Sequence, residues 1–365
     1  MDGVDATLVQ IGPSGIRFRH HVHLPYPSSL LNTLRCLSLP GDSEIDVMGI
    51  ADVEVAKVLA QAIHQLLRAS GYHHNQITAI GCHGQTIRHR PRATNPIQES
   101  IGFTLQIGDP NTLAVATGIP VIADFRRKDM ALGGQGAPLA PGFHLAAMHD
   151  HRIDQVVLNL GGIANITYLP AEANANQNSV IGFDTGPANT LLDTWFQLHH
   201  SGSFDTDGTW ASSGQVCTHL LQQLLSDPYF ALPFPKSTGK EYFSLTWLSA
   251  VLERFPNLSA RDVQTTLVEL SVQSITTQIH QLRSVDKVYV CGGGVFNVFL
   301  MQRLTQSLNT MSVESSLSMG IDPMHIESMA FAWLAYRRWH RLSGNLPSVT
   351  GAIASAVLGS IYLPD

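Results

Sequence analysis

The side chains of this sequence that could do chemistry sit in short stretches rich in glycine. In GFDTGPAN, Gly182 to Asn189, the carboxylate of Asp184 closes an apolar run and is followed by Gly186 and Pro187. An Asp-Thr-Gly serves two kinds of chemistry. In aspartic proteases two such aspartates face each other and share a proton. Alone, beside an anion-binding turn, the carboxylate acts as a general base that takes a proton from a hydroxyl or water during group transfer. This chain has a single Asp-Thr-Gly, and a helical pattern follows it at once. That favours the second chemistry, with a plain strand-end cap as the structural alternative.

Other stretches would supply the partners of such a base. NLGGIAN places Gly161 and Gly162 where an apolar strand turns back. Without Cβ atoms, backbone N–H groups there can approach an anion, although an ordinary tight hairpin has the same pattern. VCGGGVFN puts Gly292, Gly293 and Gly294 between a buried strand and a helix. This permits close approach of a flat or phosphorylated ligand and sets helix N–H groups beside it. CHGQT offers His83 and Gln85, side chains suited to sugar hydroxyls, or else a polar strand end. ADFRRKDMALGGQGAPLAP reads as a long glycine-rich loop with Arg126, Arg127 and Lys128, either an anion contact or a solvated face. PKSTGKEYF has a P-loop look, but Glu241 follows Lys240 and no strand precedes, so it remains a loop. His149 and His151 make a poor metal pair and read as surface.

The elements that must position these residues alternate strands and helices. ATLVQI and IRFRHHVHL form a hairpin, and a long helix across DVEVAKVLAQAIHQLLRAS ends at Gly71. Short buried strands follow in ITAIGCHG, FTLQIGDP and PVIADF. QVVLNLGG and IANITYL pair as a second hairpin, and SVIGFDTG is a strand. Pro187 fits the first turn of the helix that follows. Ser259 and Asp262 form a capping-box pattern before a long helix, and DKVYVCGGG is one last buried strand. MDGVDATLV and LGGIANITYL each lead a strand with glycine, as two domains built on one plan would.

Composition bounds the reading further. The 365 residues are 44% hydrophobic and 14% charged, which suits a two-domain α/β enzyme with strands covered on both faces. A formal net charge of -6 argues against nucleic acid as partner. The four cysteines lie far apart with no C-x-x-C spacing, as in a reduced cytoplasmic protein. The N-terminus has no signal-peptide pattern, and the apolar AIASAVLGSIYL is too short to span a bilayer.

Taken in order, MDGVDATL, CHGQTIRH, QIGDPNTLA, ADFRRKDMALGGQGAPLAP, NLGGIANIT, GFDTGPAN, DGTWA, PKSTGKEYF, VCGGGVFN and IESMAFAWLA resemble the motifs of anhydro-N-acetylmuramic acid kinases over essentially the whole chain. The resemblance implies a two-domain actin-like fold with an interdomain cleft. Residues 1–125 would form the first domain, with a C-terminal helix at about 326–345 packing back on it, and residues 126–325 the second. It implies ATP and Mg²⁺ as cofactors and 1,6-anhydro-N-acetylmuramic acid as substrate. Water opens the anhydro bridge and O6 is phosphorylated, in cytoplasmic recycling of peptidoglycan. It assigns Asp184 as catalytic base and Glu327 to the sugar, with His83, Gln85 and Arg126 as further sugar contacts. Met1, Asp2, Gly3, Val4, Asp5, Gly161, Gly162 and Gly292 to Gly294 would contact ATP, and the metal ligands stay unassigned. The family's first strand and G-x-M-S-G-T-S turn precede the Asp2–Asp5 motif, so a first strand is expected to be missing here. A homodimer is left open. So are a different actin-like sugar kinase, an ATP-binding pseudo-kinase and, against the helix content, a protease dimer.

Overall fold

Apolar runs of five to seven residues bounded by glycine become strands here, and longer runs with a three-to-four residue apolar period become helices. The computed structural model describes residues 3–13, 15–91, 101–173 and 176–365. These fall into two compact units, one built from residues up to Ala147 with Glu327–Asp365, the other from Met148–Ile326. Both mix helices and strands, so the α/β class holds.

In the first unit, β1 (Gly3–Gly12) and β2 (Gly15–Pro25) form the expected antiparallel hairpin. The helix Glu44–Ser70 packs Val55, Val58, Ala62 and Leu66 into a core shared with Val4 and Ala6. It ends where expected, on Gly71 in the left-handed region at φ 73°. Strands β3 (Ile80–Gly81) and β6 (Val121–Ala123) join β12 (Ser360–Tyr362) in one sheet, and β4 (Gln85–Arg90) pairs with β5 (Phe103–Ile107).

The stretch read as a long loop is more ordered than its glycines suggest. It holds the short helix Arg127–Ala131 and leads into the helix Ala140–Met148. Asp129 is fully buried within it. Its Oδ2 accepts from the Gly136 N–H at 2.8 Å, and its Oδ1 accepts from Asn345 Nδ2 and Thr350 Oγ1, both at 2.7 Å. Trp333 packs on Phe143 at 6.5 Å between ring centroids. These ties hold residues 126–147 within the first unit. The helix expected at 326–345 runs from Ile326 to Trp339. Replacing Asp129 by alanine removes three buried hydrogen bonds to a carboxylate, each worth about 1–3 kcal/mol; the Gly136 N–H loses its acceptor, while Asn345 Nδ2 and Thr350 Oγ1 keep longer bonds to the Ala354 and Leu346 carbonyls. Asp129→Ala is therefore expected to lose at least about 3 kcal/mol in denaturant unfolding of the whole chain. A loss below about 1 kcal/mol would show that the network is not what holds this segment.

The second unit contains a five-stranded mixed sheet in the order β11-β10-β7-β8-β9. Here β7 (Gln155–Leu160), β8 (Ile163–Leu169) and β9 (Ile181–Pro187) form an antiparallel meander. The strands β10 (Lys287–Cys291) and β11 (Ser312–Ser315) run parallel to β7. The β7–β8 turn, the end of β9 and the end of β10 thus share one edge, the carboxyl edge where open α/β sheets bind ligands. The helix Ala260–His280 is buried along most of its length and forms the centre of this unit's core. Ser259 caps it by accepting from the Asp262 N–H.

Candidate active site

Asp184 lies near the end of β9, opposite Asn165 of β8. Its backbone N–H donates to the Lys236 carbonyl at 3.0 Å, and its own carbonyl accepts from the Tyr229 hydroxyl at 2.7 Å. Lys236 is buried and donates to the carbonyls of Tyr229 and Phe230 at 3.2 and 3.3 Å. Below, Phe183 stacks on Phe234 at 5.0 Å between centroids. The strand is thus clamped on both sides of the carboxylate by the segment 229–238.

The carboxylate itself is held by that segment. Its Oδ2 accepts from Ser237 Oγ and from the Thr238 N–H, both at 2.9 Å. Its Oδ1 has no hydrogen-bond partner among the described residues. Burial raises the Asp184 pKa above the usual carboxylate value, and the two hydrogen bonds from Thr238 and Ser237 oppose that shift. A carboxylate with one anchored oxygen, one open oxygen and a raised proton affinity suits a general base.

One detail differs from expectation. Pro187 ends β9 rather than opening a helix, and the helix begins at Asn189. Its first N–H groups do not serve Asp184. Ala188 and Thr190 donate to the Gly162 carbonyl at 3.0 and 3.1 Å, and Asn189 donates to the Gly161 carbonyl at 3.1 Å. Loop donors, not the helix terminus, stabilise the Asp184 anion. Gly186 has φ 154°, and a methyl group there would lie 2.9 Å from Phe230 Cε1 and 3.2 Å from Ser274 Oγ. Thr185 is buried and donates to the Ala164 carbonyl at 3.2 Å. The Thr and Gly of this Asp-Thr-Gly therefore serve packing, and the Asp is left for chemistry.

The glycine stretches meet at the same sheet edge. Because the carbonyls of Gly161 and Gly162 point at the helix Asn189–His199, the planar peptide turns the Gly162 N–H the other way. Cys291 pairs with Asn159 across β10 and β7, so the three glycines emerge beside this turn. They are not equivalent. Gly292 has φ 79°, and a methyl there would strike Asn159 Oδ1 and come 2.8 Å from the Leu160 carbonyl. A methyl at Gly294 would come 2.5 Å from Leu160 Cβ. At Gly293 the nearest neighbour would be Asn189 Nδ2 at 4.0 Å, so only Gly293 faces open space. No helix terminus lies directly against them, because a 3₁₀ turn, Gly293–Phe296, intervenes before the helix Val298–Ser307, which Asn297 caps.

In the first unit His83 and Arg126 come together. Arg126 Nε donates to His83 Nε2 at 2.9 Å, and Nη1 donates to the Gly136 carbonyl at 2.8 Å. Accepting at Nε2 fixes His83 as the neutral tautomer protonated at Nδ1. Burial, with the nearby Arg126 charge, pushes the His83 pKa down to about 3. Burial also lowers the Arg126 pKa, and the charges of Glu327 and Asp129 oppose this. Glu327 thus lies near the same guanidinium. Gln85 opens β4, where its Nε2 donates to the Thr86 carbonyl at 3.1 Å, and no hydrogen bond joins it to His83 or Arg126 among the described residues.

Of the five residues expected at the nucleotide from the start of the chain, Met1 and Asp2 lie outside the described residues. Gly3 begins β1, Val4 is buried in the core, and Asp5 Oδ1 is within 3.0 Å of both His21 Nε2 and His23 Nδ1. Tyr229, Ser237, Thr238 and Asp129 were not singled out from sequence. The Ser-Thr-Gly of the rejected P-loop look-alike was the one signal that could have pointed to two of them.

A family model described as anhydro-N-acetylmuramic acid kinase matches residues 1–364. Curated relatives carrying that name include one from Shewanella loihica, 50% identical over 99% of this chain and 95% of its own. Those from Shewanella woodyi and Shewanella pealeana are each 48% identical over 99% and 100% of this chain and 95% and 96% of their own. With Asp184, the glycine turns and the Arg126 cluster all lying within that match, the chain belongs to the anhydro-N-acetylmuramic acid kinase family.

Proposed function

We propose that this kinase opens 1,6-anhydro-N-acetylmuramic acid with water and transfers the γ-phosphoryl group of ATP to O6, giving the sugar 6-phosphate and ADP. The observation that carries the reading is the Asp184 carboxylate, anchored through Oδ2 by Ser237 and Thr238 and open at Oδ1. Asp184 takes a proton from the attacking water. The water oxygen bonds to C1 as the C1–O6 bond breaks, and the freed O6 electron pair attacks the γ-phosphorus. The family and the mixed sheet of the second unit support an actin-like architecture, and the small-molecule chemistry supports a cytoplasmic setting. No helix among the described residues is long and apolar enough to cross a membrane.

For the sugar, Arg126 keeps guanidinium protons beyond those given to His83 and Gly136, and these suit the lactyl carboxylate of a muramic acid. Glu327 and His83 suit its hydroxyls, and Gln85 stays a proposed contact without structural support from the Arg126 pair. For ATP, the Gly162 N–H and the open face of Gly293 suit close backbone approach. Gly3, Val4 and Asp5, like Met1 and Asp2, remain proposed nucleotide contacts by family resemblance.

Among the described residues no three His, Cys, Asp or Glu side chains converge on a point. Mg²⁺ would be held by the nucleotide's own phosphates, which leaves Asp184 Oδ1 to the attacking water. When bound, Mg²⁺ would neutralise phosphate charge.

The test is coupled ADP release by the purified chain with ATP and the anhydro-sugar, compared with N-acetylmuramic acid, which lacks the bridge. Turnover with the first and little with the second is expected. Equal turnover on both would make this a general sugar kinase. The nucleotide placement has its own test. Gly293→Val should fold normally, since a Cβ there comes no closer than 4.0 Å to a neighbour, yet weaken ATP by at least about tenfold, or ~1.4 kcal/mol by calorimetry. A folded variant with wild-type affinity would move the nucleotide away from Gly293.

A further inference from the structure

The segment that anchors Asp184 does not end its work at Thr238. Two residues on, Lys240 reaches the glycine turn at the β7–β8 end. A methyl group at Gly162 would lie 2.7 Å from Lys240 Cε and 3.3 Å from its Nζ, and would strike Thr190 Oγ1. Gly162 is therefore kept bare by a lysine and a threonine packed over it. The Lys240 side chain forms no ion pair or hydrogen bond among the described residues. Thr190 Oγ1 is buried and also has no hydrogen-bond partner among them. A cation and an unpartnered hydroxyl thus meet at one turn. Neither side chain finds a hydrogen-bond partner among the described residues.

We propose that Lys240 binds the phosphate chain of the nucleotide at the Gly161–Gly162 turn, with Thr190 as a hydroxyl donor beside it. This rests on the kinase reading above and goes beyond it. One short segment, Lys236 to Lys240, then holds both the base and the phosphates: Ser237 and Thr238 fix Asp184, and Lys240 fixes the anion. An ammonium on a flexible stem suits this role because it meets phosphate oxygens as a point charge without a fixed fork. The competing explanation is that Lys240 serves only as counter-charge to Asp193, one turn along the helix Asn189–His199. Burial pushes the Asp193 pKa up to about 6, and the Lys240 charge opposes that shift.

Calorimetry on the intact chain separates the two explanations. ATP and adenosine are titrated into wild type, Lys240→Gln, Lys240→Arg and the double variant Lys240→Gln with Asp193→Asn. Losing a charged phosphate contact should weaken ATP by about tenfold or more in Lys240→Gln. Adenosine affinity should be unchanged, and Lys240→Arg should stay within about threefold of wild type for ATP. The double variant should remain as weak as Lys240→Gln. Wild-type ATP affinity in Lys240→Gln, or its restoration by Asp193→Asn, would overturn the proposal while leaving the kinase reading standing. A wild-type chain that binds no ATP would overturn both.

Discussion

Asp184→Asn is expected to lose at least about two decades of turnover while binding ATP and sugar nearly as the wild type does. Asparagine keeps the shape of the side chain, and its oxygen can still accept from the Thr238 N–H and Ser237 Oγ. What it cannot do is take a proton. General-base catalysis is worth about 10²–10⁴ in rate, and here the same step also frees the oxygen that receives the phosphoryl group. The fold should not suffer. Burial raises the native pKa of Asp184, so its favourable contribution to stability is fully present below the unfolded value and fades as pH rises through the native one. At neutral pH the native state holds a desolvated anion, and the neutral variant should melt no lower than wild type. The pH profile follows with the opposite sign. Only the ionised base works, so wild-type turnover should fall on the acid side around a midpoint above the ordinary carboxylate value. Turnover within tenfold of wild type would move the base elsewhere, with Glu327 the next candidate.

Arg126→Ala carries the second large effect. The guanidinium is fixed by His83 Nε2 and the Gly136 carbonyl, which leaves the rest of its fork for a ligand. A charged hydrogen bond is worth about 1.5–3 kcal/mol, so losing the contact to a lactyl carboxylate should raise the KM for the sugar about 10- to 100-fold. The substitution also leaves His83 and Gly136 without a donor, so a fall in melting temperature alone decides nothing. The deciding comparison uses anhydro-N-acetylglucosamine, which lacks the lactyl group. The wild type should prefer the muramic sugar strongly, and Arg126→Ala should show little preference. A preference preserved in the variant would assign the carboxylate to another cation.

The strands and the long helices were legible because their apolar periods and glycine ends are local properties. Gly71, Ser259 and the QVVLNL–IANITYL hairpin behave as their neighbours in sequence dictate. What could not be read depends on partners distant in the chain. Asp129 drew no reading of its own in a basic, glycine-rich stretch, because its partners Asn345 and Thr350 are more than two hundred residues away. Pro187 satisfies a helix start by type, but pairing with Ile163 keeps it in a strand. The three consecutive glycines looked alike, and only packing against Asn159 and Leu160 separates Gly292 and Gly294 from the open Gly293. Asp184 was legible as the chemical residue, whereas the donors that anchor it, Ser237 and Thr238, lie some fifty residues further along the chain.

The central claim is that water, activated at Asp184, opens the anhydro bridge in the same reaction that phosphorylates O6. The direct test runs the reaction in heavy-oxygen water and reduces the product at once, so that oxygen at C1 cannot exchange. The account predicts one heavy oxygen at C1, none in the transferred phosphoryl group, and one ADP per sugar phosphate. Heavy oxygen in phosphate, or a phosphorylated sugar whose bridge is intact, would contradict it.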